Sequence, residues 1–167
     1  IPSSAASDVY KRQYIKAMKK IVILICFLLM SCQKADFNVV GGKGYNFASL
    51  SDQVIFLNVW ADWCAPCIKK IPDFNKLDKH PNAKVFGFHF DQFDILESDE
   101  ISMLMSRLGI EFENLISDPR DILDSGIPEN VPTLWIVKEG KIIDTIIEPL
   151  NYEQLMAKLE SHLVTSD

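Results

Sequence analysis

Apolar residues in this chain fall into a few recognisable spacings, and those spacings predict its elements. Residues 54–60, Val-Ile-Phe-Leu-Asn-Val-Trp, are almost unbroken β-forming apolar sequence, as in a central strand covered on both faces. Directly after it, Ile68, Ile71, Phe74 and Leu77 recur every three residues, which predicts a helix over 64–79 with a kink at Pro72. Residues 84–90 repeat the core-strand pattern. Residues 99–108 predict a helix closed by Gly109, 112–116 a further strand, and Asp118-Pro119 a turn into a short helix. Residues 133–137 and 142–147 flank Glu139-Gly140 and predict a β-hairpin. Leu155, Leu159 and Leu163, four apart, predict a closing amphipathic helix over 151–163. Ahead of all these, 37–40 fit a first strand and 41–44 a glycine turn. The order is β-α-β, a further αβ unit, then β-β-α. It implies an α/β fold with a mixed sheet between helices.

The first 32 residues follow a different pattern. Met18-Lys19-Lys20 opens a short basic region, and residues 21–30 are a continuous apolar run ending in Ser31-Cys32. A spanning helix needs roughly 20 apolar residues, so this run instead fits the core of a secretory signal. The ending Leu29-Met30-Ser31-Cys32 resembles a bacterial lipoprotein box, in which the cysteine is lipidated and becomes the new N-terminus. The expected organisation is a lipoprotein signal over 18–31, lipidation at Cys32, a tether over 32–36 and a folded domain over 37–167. Residues 1–17 then precede the true start. Back-translated, residues 3–13 resemble a transposase adapter of sequencing libraries, so 1–17 is expected to be an assembly artefact.

Charge narrows the partners. The 167 residues carry a net charge of −6, but the basic groups crowd into the leader. From Cys32 onward there are 12 Lys/Arg and 22 Asp/Glu residues. An acidic body without a Lys/Arg cluster argues against nucleic acid, whose phosphates need basic partners.

Of the four cysteines, Cys26 lies in the apolar run and Cys32 ends it, leaving Cys64 and Cys67 in the folded part. A Cys-x-x-Cys at a strand-to-helix junction places both sulfurs on the first helical turn. Unpaired N–H groups and the helix dipole there favour an anion. In such motifs a thiol pKa near 8.5 falls to roughly 7 or lower, which supplies thiolate at neutral pH. Cys64 is therefore expected to attack a substrate disulfide, and Cys67, shielded one turn on, to resolve the mixed disulfide. Pro66 suits the first turn, where its missing N–H is not needed. A zinc site would need further Cys or His ligands at compact spacing, whereas His80, His89 and His162 stand in three separate elements. No metal is expected.

The run Asn58-Val59-Trp60-Ala61-Asp62-Trp63-Cys64-Ala65-Pro66-Cys67 resembles the active-site stretch of thioredoxins. The extra αβ unit between Phe90 and Asp118 is similar to the membrane-anchored thioredoxin-like reductases of the cell envelope, the TlpA/ResA type. This resemblance implies a three-layer α/β/α sandwich with a mixed central sheet and an extra central αβ unit. It implies a redox-active Cys64–Cys67 disulfide with no other cofactor, and reduction of disulfides in exported proteins. It also implies an upstream membrane electron donor and a location at the periplasmic face of the envelope. Val131-Pro132-Thr133 matches the family's cis-proline turn, which implies that the Val131 backbone and Pro132 receive an extended client segment. Trp63 is expected to shield the redox pair and contact the client, while Trp60 belongs to the core.

Two positions depart from the pattern. Asn58 stands where thioredoxins carry a buried carboxylate, and an amide cannot take that proton; it is expected to be a buried structural amide. Lys70, beside Lys69, stands where the envelope reductases often carry glutamate, which puts a role in cytochrome c maturation in doubt. Both lysines, the acidic stretch 91–100, Gly87, the Phe86/Phe88/Phe90 series and His89 are assigned no chemistry. Two rival functions remain: an oxidant or isomerase of the same fold, and a module holding a client or copper ion, with Met103 and Met105 as additional soft ligands.

Overall fold

The computed structural model describes residues 34–164 together with Met18 and Lys19. Residues 1–17, most of the apolar run and the expected lipidation site Cys32 lie outside the described residues. The chain divides into two units, residues 1–34 and 35–167, and the fold and the site lie in the second. Among the described residues no helix is long and apolar enough to cross a membrane.

Five strands form the central sheet, in the order β5-β4-β3-β6-β7. They are β3 (Val54–Trp60), β4 (Ala83–His89), β5 (Glu113–Asn114), β6 (Thr133–Lys138) and β7 (Lys141–Ile146). β4 runs parallel to β3 and β5, whereas β6 is antiparallel to both β3 and β7. Every residue of β3 is buried, as its unbroken apolar run requires. A separate two-stranded hairpin, β1 (Phe37–Asn38) and β2 (Gly44–Tyr45), lies N-terminal to the sheet.

Alternation along the strands divides the interior into two cores. Val54, Phe56 and Trp60 pack with Ile71, Phe74 and Leu77 of α1 (Ala65–Leu77) and with Leu155 and Leu159 of α4 (Tyr152–Val164). Leu104, Met105 and Leu108 of α2 (Ser98–Leu108) close this core from the side. Ile55, Leu57 and Val59 face the other way, onto Phe37, Val39, Leu50, Phe93 and Leu123. That second cover is thin: the β1–β2 hairpin, 3-10 turns at Phe47–Leu50 and Phe90–Phe93, and the five-residue α3 (Pro119–Leu123).

Observed boundaries follow local chemistry. α1 ends at Leu77 rather than 79, because Asp78 turns its carboxylate onto the Lys84 ammonium and the Val85 N–H. α2 starts at Ser98, since Glu97 and Glu100 exchange a capping box, and Gly109 ends it at φ 68°. The strand expected over 112–116 keeps only Glu113 and Asn114 in the sheet, and Leu115 bridges Val39 instead.

Candidate active site

β3 delivers its chain end to the surface, where Ala61, Asp62 and Trp63 turn into α1. The Cys64 N–H closes that turn on the Ala61 carbonyl at 3.2 Å. Cys64 is not helical but caps the helix, with extended dihedrals, and its sulfur accepts the Cys67 N–H at 3.3 Å. Pro66 occupies the first turn, where no N–H is missed. Cys64 and Cys67 are joined as a disulfide. Both are buried, Cys67 within the first core, while Ala65 and Pro66 are exposed.

The Val131–Pro132 peptide bond is cis. Both residues are half-buried at the head of β6, and the Thr133 hydroxyl closes the turn on the Asn130 carbonyl at 2.6 Å. Val131 packs against the core that contains both cysteines. Val59 at the end of β3 pairs with Thr133 at the head of β6, so the segments 64–67 and 131–132, far apart in the chain, both lie at this end of the sheet.

Trp63 stands 60% exposed. Its indole N–H donates to Asp91 Oδ2 at 3.1 Å, and its ring lies edge-on to Phe90 with centroids 6.1 Å apart. Trp60 is fully buried, and its indole N–H donates to Asn114 Oδ1 at 3.0 Å across Gly87. Asn58 is buried in β3, paired with Gly87 and Leu134 in register. Strand alternation puts its side chain on the face that carries α1. Lys70 forms an i,i+3 pair with Asp73 at 3.6 Å.

Two findings go beyond the sequence reading. His89 is only 1% exposed, and its ring meets Trp60 edge-on at 4.6 Å. Its Nε2 lies 3.1 Å from the Asp62 N–H and its Nδ1 lies 3.2 Å from that of Asp91. Burial pushes its imidazole below the ordinary value of 6.5, and the charges of Asp91 and Asp62 offset this only in part. Asp91 is likewise more than a solvated loop residue, because it anchors the Trp63 indole. Alternation along 85–90 places His89 on the strand face opposite Phe86, Phe88 and Phe90. Nothing in the sequence showed that its partners are Asp62, 27 residues away, and Asp91.

Asp62, His89 and Asp91 converge as a group able to face a cation. Several of their polar atoms already have protein partners: the ring nitrogens face backbone N–H groups, Asp62 Oδ2 meets Arg107 at 3.2 Å, and Asp91 Oδ2 accepts from Trp63. Met103 and Met105 do not converge as a soft-ligand pair. Two residues apart on α2, they diverge by about 200°, with Met103 67% exposed and Met105 packed on the first core.

No protein-family model matches the chain. A thiol-disulfide oxidoreductase ResA from Bacillus thuringiensis (strain Al Hakam) is 30% identical over 121 residues, covering 71% of this chain and 69% of that protein. The chain belongs to the ResA-type thiol–disulfide oxidoreductases. Among solved structures it is similar to a thiol:disulfide interchange protein of the thioredoxin family from Chlorobium tepidum TLS. The TM-score is 0.60 at 21% identity, covering 74% of this chain and 89% of that one. StoA from Bacillus subtilis gives 0.58 at 19% identity, over 72% and 92%. The ResA relative and the Cys64–Cys67 pair identify the protein as a thiol–disulfide oxidoreductase, and the solved structures match its mixed sheet as a thioredoxin-like fold.

Proposed function

We propose that this oxidoreductase reduces disulfides of exported client proteins at the bacterial cell envelope, with the Cys64–Cys67 pair as its whole redox group and no bound cofactor. The observation that carries this reading is the position of Cys64 at the cap of α1, where its sulfur meets a backbone N–H of the first turn. In the reduced protein those N–H groups favour the Cys64 thiolate. That thiolate attacks one sulfur of a client disulfide, the Cys64–client bond forms, and the second client sulfur leaves as a thiolate. Cys67, deprotonated, then attacks Cys64 Sγ and releases the first client sulfur. Two electrons pass to the client and the Cys64–Cys67 disulfide remains. A membrane dithiol donor returns it to the reduced state.

Trp63 and the Val131–Pro132 turn receive the client segment in this reading. The exposed Trp63 indole and the half-buried Val131 and Pro132, at the end of the sheet that carries the buried sulfurs, support that role. Lipidation at Cys32 and the 32–36 tether hold the domain at the membrane, a reading that rests on the leader sequence.

Insulin reduction tests the chemistry. Cys64→Ser abolishes it, while Cys67→Ser accumulates mixed disulfides with Cys64; wild-type turnover by the Cys64 variant would overturn the assignment. The reduction potential tests direction: a value near −270 mV supports a reductant, and one near −120 mV makes the protein an oxidant.

A further inference from the structure

His89 sits between the two segments that frame Trp63, and it has more donors facing it than it can accept. A neutral imidazole has one lone pair and one N–H. Backbone N–H groups of Asp62 and Asp91 point at both of its nitrogens, at 3.1 and 3.2 Å. Only one of these is a hydrogen bond at a time, and the other nitrogen carries the proton and turns it to a carboxylate. Asp62 Oδ1 lies 3.5 Å from Nε2, whereas Asp91 Oδ2 lies 4.0 Å from Nδ1. The cap that Nδ1 places on the Asp91 N–H at the start of the 3-10 turn goes with the Nε2–H tautomer, whose proton faces Asp62 Oδ1. Nδ1 then accepts the Asp91 N–H, and Asp62 is held through its carboxylate.

Both neighbours lead to the same indole. Asp62 immediately precedes Trp63, and Asp91 accepts the Trp63 N–H. We propose that His89 is a positioning residue for disulfide exchange: its neutral ring holds Asp62 and Asp91 at a fixed separation and so sets Trp63 beside Cys64. This rests on the reading of Cys64 as the attacking thiol.

The groups packed around the ring define its electrostatics. Trp60 of β3 meets it edge-on. Asp62 comes from the turn after β3 and Asp91 from the 3-10 turn after β4. Arg107 of α2 pairs with the far oxygen of Asp62 at 3.2 Å, and Glu100 lines the same open groove of about 460 Å³. Protonation makes both ring nitrogens donors, so neither accepts a backbone N–H. The imidazolium pulls both carboxylates inward, and Asp91 turns away from the indole. Burial, which keeps the ring neutral at pH 7, keeps the lock closed there.

The decisive experiment uses the oxidised protein, whose disulfide-bonded cysteines do not titrate. Nitrogen-15 NMR follows the amides of Asp62 and Asp91 and the Trp63 indole, assigned with Trp63→Phe, from pH 8 to pH 4.5. All three are expected to move together with the His89 ring, with a midpoint below 6.5, and to lose that step in His89→Gln. In insulin reduction, His89→Ala is expected to lower kcat/KM by roughly ten- to a hundredfold, the upper end being the cost of a misplacement of about 1 Å at a reacting centre. His89→Gln restores most of that loss at pH 7, and His89→Ala has no further effect in a Trp63→Ala background. Resonances that stay flat while His89 titrates would overturn the proposal. So would a step that survives in His89→Gln, which belongs to the carboxylates, or an equal loss with and without Trp63. Should His89→Ala not fold, the wild-type and His89→Gln titrations still decide. They need no turnover, so their outcome is separate from a failure of insulin reduction.

Discussion

Single residues at this site work through contacts that cross the sheet. Gly87 is the clearest case. A Cβ there would sit 2.6 Å from Asn114 Oδ1 and 3.0 Å from Trp60 Nε1, in the path of the hydrogen bond between them. Gly87→Ala is expected to cost about 2 kcal/mol, and thermal unfolding measures it. His89 gives a second prediction with a defined sign. Its native pKa lies below the ordinary 6.5, so in that interval the unfolded chain binds more protons than the native one. Stability from this group is full above pH 6.5 and is lost as pH falls toward the native value. Urea midpoints at pH 7.5 and pH 5 are expected to differ more for wild type than for His89→Gln.

At the scale of elements, local sequence explains most of what forms. Glu139 and Gly140 both take positive φ, 52° and 74°, the conformation of a two-residue turn between β6 and β7. Glycine accepts that region freely and glutamate does not. Glu139→Asn is expected to stabilise the hairpin by about 0.5 to 1 kcal/mol, read as a higher Tm without change in activity. α1 shows the same agreement, since the Cys-Ala-Pro-Cys run caps its own helix. β1 and β5 keep only two residues each of the strands expected over 37–40 and 112–116, and β2, also two residues, was not expected as a strand. Strands that short carry no periodicity, and pairing partners far along the chain define them.

For the whole molecule, a charged hub ties the N-terminal hairpin to the sheet edge. Glu113 of β5 accepts from the Tyr45 hydroxyl of β2, meets Lys84 of β4 at 3.1 Å and meets Lys43 at 3.5 Å. Burial alone pushes its carboxyl up, yet the hydrogen bonds from Tyr45 and Lys84 and the lysine charges outweigh that and hold it below the usual 4.5. A depressed carboxylate stabilises above its unfolded pKa, and the effect is lost as pH falls through the native one. Glu113→Gln is therefore expected to cost about 1 to 2 kcal/mol at pH 7 and much less at pH 3. Urea unfolding at the two values checks both the size and the sign. The hub also anchors the thin side of the sandwich, where only the hairpin, short 3-10 turns and α3 cover the sheet.

The long elements, their order and the redox pair follow from local sequence. Each rests on information within about a dozen neighbouring residues: an unbroken apolar run, a three-residue recurrence, a cysteine spacing at a strand-to-helix junction. Val131-Pro132 was legible only as a resemblance, because no local pattern says which part of the sheet a proline turn will face. Tertiary structure alone decided the surroundings of Trp63. Asp62, the His89–Asp91 stretch and Arg107 come from three separate segments and meet because β4 lies parallel to β3 and α2 packs on the same core. Hydrogen bonds and buried charges depend on distances between such segments, and a linear pattern of polar and apolar positions does not encode those distances.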